Sequence, residues 1–398
     1  MMFKSWEDEA KKIFGDIDSL YNQSIVNETK NAARKNTCKL CNITRIDENS
    51  DSTYDDLVIG FLFNRFYVNV LTFVRTLRSS NAKCGILFFC DADYIEHINP
   101  QELEELTNCG VRWLVVPKID TNLIREPNLI RRLIEFLFLK QYKDHFNRIL
   151  IIDVADSIFQ KDPFSKILPK NKLTFSIEKV QFLNHEWAMN RMQKTDYRYF
   201  DREFWEYKFI INGGIIYGPI KDVYDFYVQM MRPSVFFQPF CCDQSIMAIT
   251  YYYGLYTNVF IDYQSTHFAS VAYSTFEEKP QKDSYIHEIR NKNAPAVIHQ
   301  FDRICQVTSY LKDFCPAVGS FQTLPYGRKD YFMQNCGSSY SYNHPIIERP
   351  PNIYGFYVSV GIIVTATSIV LLCMFQLIQS VFMKRLNKKI FHSVQVTI

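Results

Sequence analysis

Glycine and proline are scarce in this chain of 398 residues, at 13 and 15, and no low-complexity tract or internal repeat is present. Disorder is therefore not expected outside the N-terminus and the stretch before the last apolar run. Charge of one sign is also missing. The formal net charge of +3 includes Lys384, Arg385, Lys388 and Lys389, which follow that run. Without these four, 41 basic residues face 42 acidic ones, a net of −1. No basic stripe remains, which excludes nucleic acid as a partner. Several catalytic signatures are absent too: no G-x-S-x-G, no H-E-x-x-H, no Walker loop and no G-x-G-x-x-G.

Apolar residues and aromatics are plentiful, at 47% and 16%, enough for a sizeable packed core. The 11 cysteines are many for a cytosolic enzyme. Setting aside Cys373 in the apolar run leaves an even number, which fits disulfides in an oxidising lumen, with free buried thiols as the alternative. Cys38 and Cys41 form a lone C-x-x-C, read as a local disulfide or plain thiols.

No charged residue occurs from Pro350 to Met383. The run Tyr354–Phe382 is long enough for one membrane-spanning helix, and the basic cluster behind it suits the cytosolic face. The N-terminal twenty residues are charged and contain no signal-peptide core. Two topologies follow. In one the globular part is lumenal, exported by a signal not seen in this sequence. In the other the protein is tail-anchored and faces the cytosol. Sequons at Asn22, Asn27 and Asn42, the cysteines and the basic tail favour the lumen, in the Golgi or endoplasmic reticulum or at the cell surface. The expected organisation is a polar segment over 1–56, a catalytic domain over 57–325, a stalk over 326–353, a transmembrane helix over 354–382 and a cytosolic tail over 383–398.

Within the globular part, short apolar runs at 56–63, 86–89, 111–116 and 148–153 read as strands. Helical spacing over 67–78, 101–109 and 123–142 alternates with them. This pattern predicts an α/β fold with a mostly parallel sheet flanked by helices. Ligands bind such sheets at the carboxyl ends of the strands, where Asp91, Asp93, Asp153 and Asp156 fall. Residues 209–217 read as a strand interrupted at Gly213-Gly214. Helices are expected over 222–231 and 243–252, and short strands over 259–263 and 296–299, with this half extending the same sheet and building an acceptor surface.

The stretch Asp153-Val-Ala-Asp-Ser-Ile-Phe-Gln-Lys-Asp-Pro-Phe164 sets two carboxylates three residues apart behind an apolar strand. Hard divalent cations want such oxygens, and a metal there would ease departure of a diphosphate. A helix cap and turn are the structural alternative. The string resembles the metal-binding motif D-x-x-D-x-x-F-Q-x-D-P-F of a glycosyltransferase family with the GT-A fold, related in layout to glycogenin-like enzymes. Asn212-Gly213-Gly214, Asp243-Gln244 and the segment Ala296–Arg303 resemble, in order, the N-G-G, D-Q and H-Q-x-D-R pieces of those enzymes, so the resemblance covers about 57–303. Two departures stand out: the acidic motif is D-x-x-D rather than D-x-D, and Ala155 replaces a larger, often basic, residue.

The resemblance implies a divalent metal, Mn²⁺ or a similar ion, on Asp153, Asp156 and His299. It implies a nucleotide-sugar donor and a glycan or protein acceptor. Asn212, Gly213, Gly214 and Gln244 would line the sugar and acceptor site. Asp243 would be catalytic, orienting the acceptor or stabilising an oxocarbenium-like centre. Asn64, Arg65 and Asn69 read as nucleotide contacts, and Arg131, Arg132 and Arg303 as partners of the pyrophosphate. The alternative from another class is a catalytically inactive, membrane-bound glycan-binding or scaffolding relative. A phosphotransferase or nucleotidyltransferase on a similar sheet is a third reading.

Overall fold

The computed structural model describes residues 24–42, 49–62, 69–116, 127–196, 200–231, 242–271, 276–277 and 285–315. The candidates Asn64 and Arg65, the sequon residue Asn22, the stalk, the span 354–382 and the tail lie outside them. No helix among the described residues is long and apolar enough to cross a membrane.

The first half alternates as the apolar periodicity predicts. Helix α1 (Ser24–Arg34) precedes β1 (Leu57–Leu62), α2 (Val70–Ser79), β2 (Gly85–Cys90), α3 (Ala92–His97), α4 (Pro100–Asn108), β3 (Val111–Val115), α5 (Pro127–Tyr142) and β4 (Arg148–Ile152). Every residue of β1 and β2 is buried, because both faces of these strands are covered. Leu57 and Ile59 face one core with α5, and Val58 and Leu62 face the other with α2. In α2, Val70, Phe73, Val74 and Leu77 are fully buried, at about 1.5–3 kcal/mol for each such side chain.

The second half contains β5 (Ser157–Phe159), β6 (Leu173–Gln181), α6 (Glu186–Thr195), α7 (Arg202–Glu206), β7 (Phe209–Pro219), α8 (Ile220–Met230), α9 (Asp243–Tyr252), β8 (Val259–Asp262), β9 (Phe268–Ser270), β10 (Val297–His299) and α10 (Cys305–Phe314). The main sheet runs β3-β2-β1-β4-β7-β6-β8, and a smaller sheet runs β5-β10-β9. Pairing is parallel from β3 to β4 and between β6 and β8. Strand β7 is antiparallel to both of its neighbours. The sheet is thus mostly parallel with one reversed strand.

Three sequence expectations need correction. Strand β7 is not interrupted at Gly213-Gly214. It runs unbroken, but its register with β6 jumps between Ile216 and Ile211, so Asn212–Gly214 bulges from that pairing. The final strand does not extend the main sheet; Val297–His299 pairs in the smaller one. The C-x-x-C does not close on itself: Cys38 bonds Cys109 and Cys41 bonds Cys315, while Cys84, Cys90 and Cys242 are free and buried. Those disulfides, with ion pairs Lys30–Asp55 (2.6 Å) and Arg112–Glu28 (2.6 Å), fasten the segment from Ser24 onward to the domain.

Candidate metal and sugar site

Strand β4 ends at Ile152, and the chain turns away with Asp153 and Asp156 half-buried at its carboxyl end. Asn69 holds this turn by donating its side-chain amide to the Ala155 carbonyl at 2.9 Å. Strand β10 then lays His299, 2% exposed, against the turn from the smaller sheet. Phe301 N–H donates to the Asp156 carbonyl at 3.1 Å and locks the two segments. Asp153, Asp156 and His299 each bring one ligand atom, and these atoms lie within 4.8 Å of one another. His299 Nε2 stands 3.5 Å from Asp153 Oδ2 and 3.4 Å from Asp156 Oδ1.

The donor set fits a divalent cation on two further grounds. His299 Nε2 and Asp156 Oδ1 are buried and have no hydrogen-bond partner, a costly state that a metal would relieve. The wall opposite is cleared of side chain: a Cβ on Gly214 would stand 2.5 Å from His299 Cε1 and 2.7 Å from Asp153 Oδ2. Burial drives the His299 imidazole down, but the Asp156 and Asp153 carboxylates more than offset it, leaving it raised to about 10. Without a cation, the histidine proton supplies the positive charge that two carboxylates require. Burial also pushes Asp153 up, yet Arg131 and His299 hold it well below the usual carboxylate range.

Beyond these candidate ligands, α5 contributes two arginines. Arg131 bonds Asp153 with one nitrogen and Asp243 with another, at 3.0 Å. Arg132, 1% exposed, reaches Asp243 at 2.9 Å, Glu135 at 2.9 Å, the Tyr227 hydroxyl at 3.1 Å and the Gly213 carbonyl. These are buried networks and not surface salt bridges. Asp243 opens α9 but is not its cap; Cys242 occupies that position. Asp91, by contrast, does cap a helix, accepting from Tyr94 N–H at 2.8 Å.

Asn212 and Gln244 shape the floor. Asn212 Oδ1 accepts the Gly214 N–H at 2.9 Å, and its amide donates to Ser270 Oγ at 3.2 Å. Gln244 donates to the Ile211 carbonyl at 2.8 Å and to Glu178 Oε1 at 3.0 Å. Glu178, on β6, escaped the sequence reading. Burial raises its carboxyl, against the pull of the Gln244 hydrogen bond and of the nearby His185. The period-two alternation of Leu173, Phe175 and Ile177 with Thr174, Ser176 and Glu178 was the available signal. Arg303 closes the turn after β10, donating its backbone N–H to Gln300 at 3.1 Å. Asp302 beside it is pushed up to about 6 by burial and by Asp156.

Not all of the acidic motif belongs to the site. Gln160 and Asp162 are fully buried. Gln160 donates to the Ile286 and Pro295 carbonyls at 2.9 and 3.1 Å. Asp162 accepts from Ser50 Oγ, Ser52 N and Phe164 N at 2.6, 3.1 and 2.9 Å.

No family model matches the chain, and no curated protein matches it. Among solved structures, a galactosyltransferase, LgtC, in complex with donor and acceptor sugar analogues, is similar at 15% identity. The match covers 68% of this chain and 98% of that one, with a TM-score of 0.39. A likeness that slight assigns no activity to this chain.

Proposed function

We propose that this chain is a metal-dependent glycosyltransferase that moves a sugar from a nucleoside-diphosphate donor to a glycan or protein acceptor. The observation that carries this reading is the convergence of Asp153, Asp156 and His299, with two buried ligand atoms that make no hydrogen bond, beside the bulge Asn212–Gly214. A Mn²⁺ ion there would neutralise the diphosphate as it leaves. Arg131 fixes the Asp153 rotamer and leaves Oδ2 for the cation. Gly213 and Gly214 let the backbone approach a sugar ring. Asp243, fixed by Arg131 and Arg132, is a rigid carboxylate that orients the acceptor or stabilises positive charge at the anomeric carbon. Asn64, Arg65 and Arg303 remain candidates for the nucleotide and pyrophosphate.

One observation favours the inactive alternative: at Ala155 the turn offers only a methyl group to a phosphate. Mn²⁺-dependent hydrolysis of a panel of nucleotide sugars separates the two. Sugar release from at least one donor is expected, and none from any donor would reject the enzyme. We further place the globular part in an oxidising lumen as a single-pass membrane protein. The disulfides Cys38–Cys109 and Cys41–Cys315 support this. An endoglycosidase shift through Asn22, Asn27 or Asn42 is expected; no shift, with the domain open to protease in sealed vesicles, would put it in the cytosol.

A further inference from the structure

Crossing the main sheet from β4 through β7 to β6 passes from the metal ligands to Asn212–Gly214 and then to Glu178. Beyond Glu178 the same strand ends at Gln181, whose side-chain amide donates to the Tyr207 carbonyl at 3.2 Å. There the surface changes character. Leu183 is 45% exposed, Trp187 42% and Tyr207 67%, and Phe182 N–H donates to the Lys208 carbonyl at 3.0 Å, tying the two segments together.

Trp187 is on the open side of α6, whose buried residues are Ala188, Met189, Met192 and Thr195. The Arg191 guanidinium lies 5.2 Å from its ring centroid, and the His185 ring 6.1 Å away. His185 is close enough to Glu178 to pull on its ionisation, which joins this rim to the floor of the site.

We infer that Trp187, on the rim that also carries Leu183 and Tyr207, is a platform that stacks a pyranose ring of a neutral glycan acceptor. The inference rests on the glycosyltransferase reading and names its acceptor class. A pyranose offers a flat C–H face, and an exposed indole or phenol supplies the matching apolar face with a polar edge. The rim lies on the side of the bulge away from the metal, where an acceptor rather than a diphosphate belongs. The occupant is uncharged because the cations here are already engaged. Arg202 pairs with Glu206 at 2.9 Å, Lys208 sits 4.7 Å over the Phe204 ring, and Arg191 lies over one face of Trp187. Leu183 and Trp187 are separated along the chain by Asn184, His185 and Glu186, too broken a surface for an apolar protein interface.

The test is saturation-transfer NMR on the full-length protein with lactose, cellobiose, maltotriose and chitotriose. Wild type should show contact to at least one of them. Trp187→Ala should weaken it about five- to tenfold, and Trp187→Phe should retain most of it. Ile167→Ala, at a residue 60% exposed elsewhere on the surface, should leave it unchanged. With the best sugar as acceptor, Trp187→Ala should raise the acceptor KM by the same factor and leave kcat within twofold. Equal affinity in wild type and Trp187→Ala, or no contact with any sugar, overturns the platform. Wild-type donor hydrolysis without acceptor reports separately on the glycosyltransferase reading, so sugar contact without hydrolysis would sink that reading and leave the platform standing.

Discussion

The two halves of the stretch Asp153–Phe164 both carry acidic residues and behave oppositely in the fold. Asp153 and Asp156 are half-buried at a strand end, and a ligand oxygen of Asp156 makes no hydrogen bond, meeting only His299 at 3.4 Å. Gln160 and Asp162 are completely buried, with hydrogen bonds to surrounding chain and side chain. Natural folds rarely leave buried polar atoms unpaired. The half with a carboxylate oxygen short of hydrogen bonds therefore points to a ligand that completes it, and the fully bonded half to architecture. A single motif here joins a candidate metal site to the clamp that holds the smaller sheet and the segment near Ser50 in place.

Substitutions should separate the halves. Asp156→Asn keeps shape and turn-forming ability but removes a charge. Its transfer or hydrolysis rate should fall by orders of magnitude with the melting temperature nearly unchanged. Near-wild-type turnover would reject the metal role.

Gly214→Ala should weaken Mn²⁺ binding by about 10–100-fold, as loss of a site's supporting geometry commonly does. The new methyl would intrude on both His299 and Asp153. Calorimetric titration reads it, and an unchanged affinity would show that the cleared wall is incidental.

Asp162→Ala should show the reverse pattern. Orphaning Ser50, Ser52 and Phe164 should cost about 2–4 kcal/mol in denaturant unfolding, while the folded fraction keeps its Mn²⁺ affinity. Loss of affinity in still-folded protein would join the two halves into one function.

Glu102 gives the smallest effect, in a region unrelated to the motif. Burial and then Glu105 push its carboxyl up to about 7 from an ordinary 4.5. The folded state therefore holds a proton that the unfolded state has lost between these values, and stability declines as pH rises through that window. Glu102→Gln removes the decline. Relative to wild type it should gain on the order of 1–3 kcal/mol between pH 4 and pH 8. A constant difference across that range would contradict the assignment.

Much of the scaffold was legible because β1, β2 and β4 are short apolar runs covered on both faces, which leaves periodicity little room to mislead. The reversed direction of β7 was not legible, since pairing direction is decided by which strand lies beside it and not by the strand's own residues. Strand β6, and Glu178 with it, was missed although its alternation was available. The two disulfides could not be read from spacing: Cys41 and Cys315 are 274 residues apart. At the site, Asp153, Asp156 and His299 could be placed together on the motif resemblance. Arg131 and Arg132 were noticed, but toward a pyrophosphate. Their tie to Asp153 and Asp243 depends on how α5 packs over the carboxyl end of the sheet.

The most direct test is a Mn²⁺ titration of the full-length protein and of His299→Ala, each with and without a nucleoside diphosphate. Wild type should bind one Mn²⁺ per chain, and more tightly with the nucleotide present. His299→Ala should lose that site while remaining folded. Equal Mn²⁺ binding by the two proteins, or none by wild type with nucleotide present, would contradict a metal centre at Asp153, Asp156 and His299.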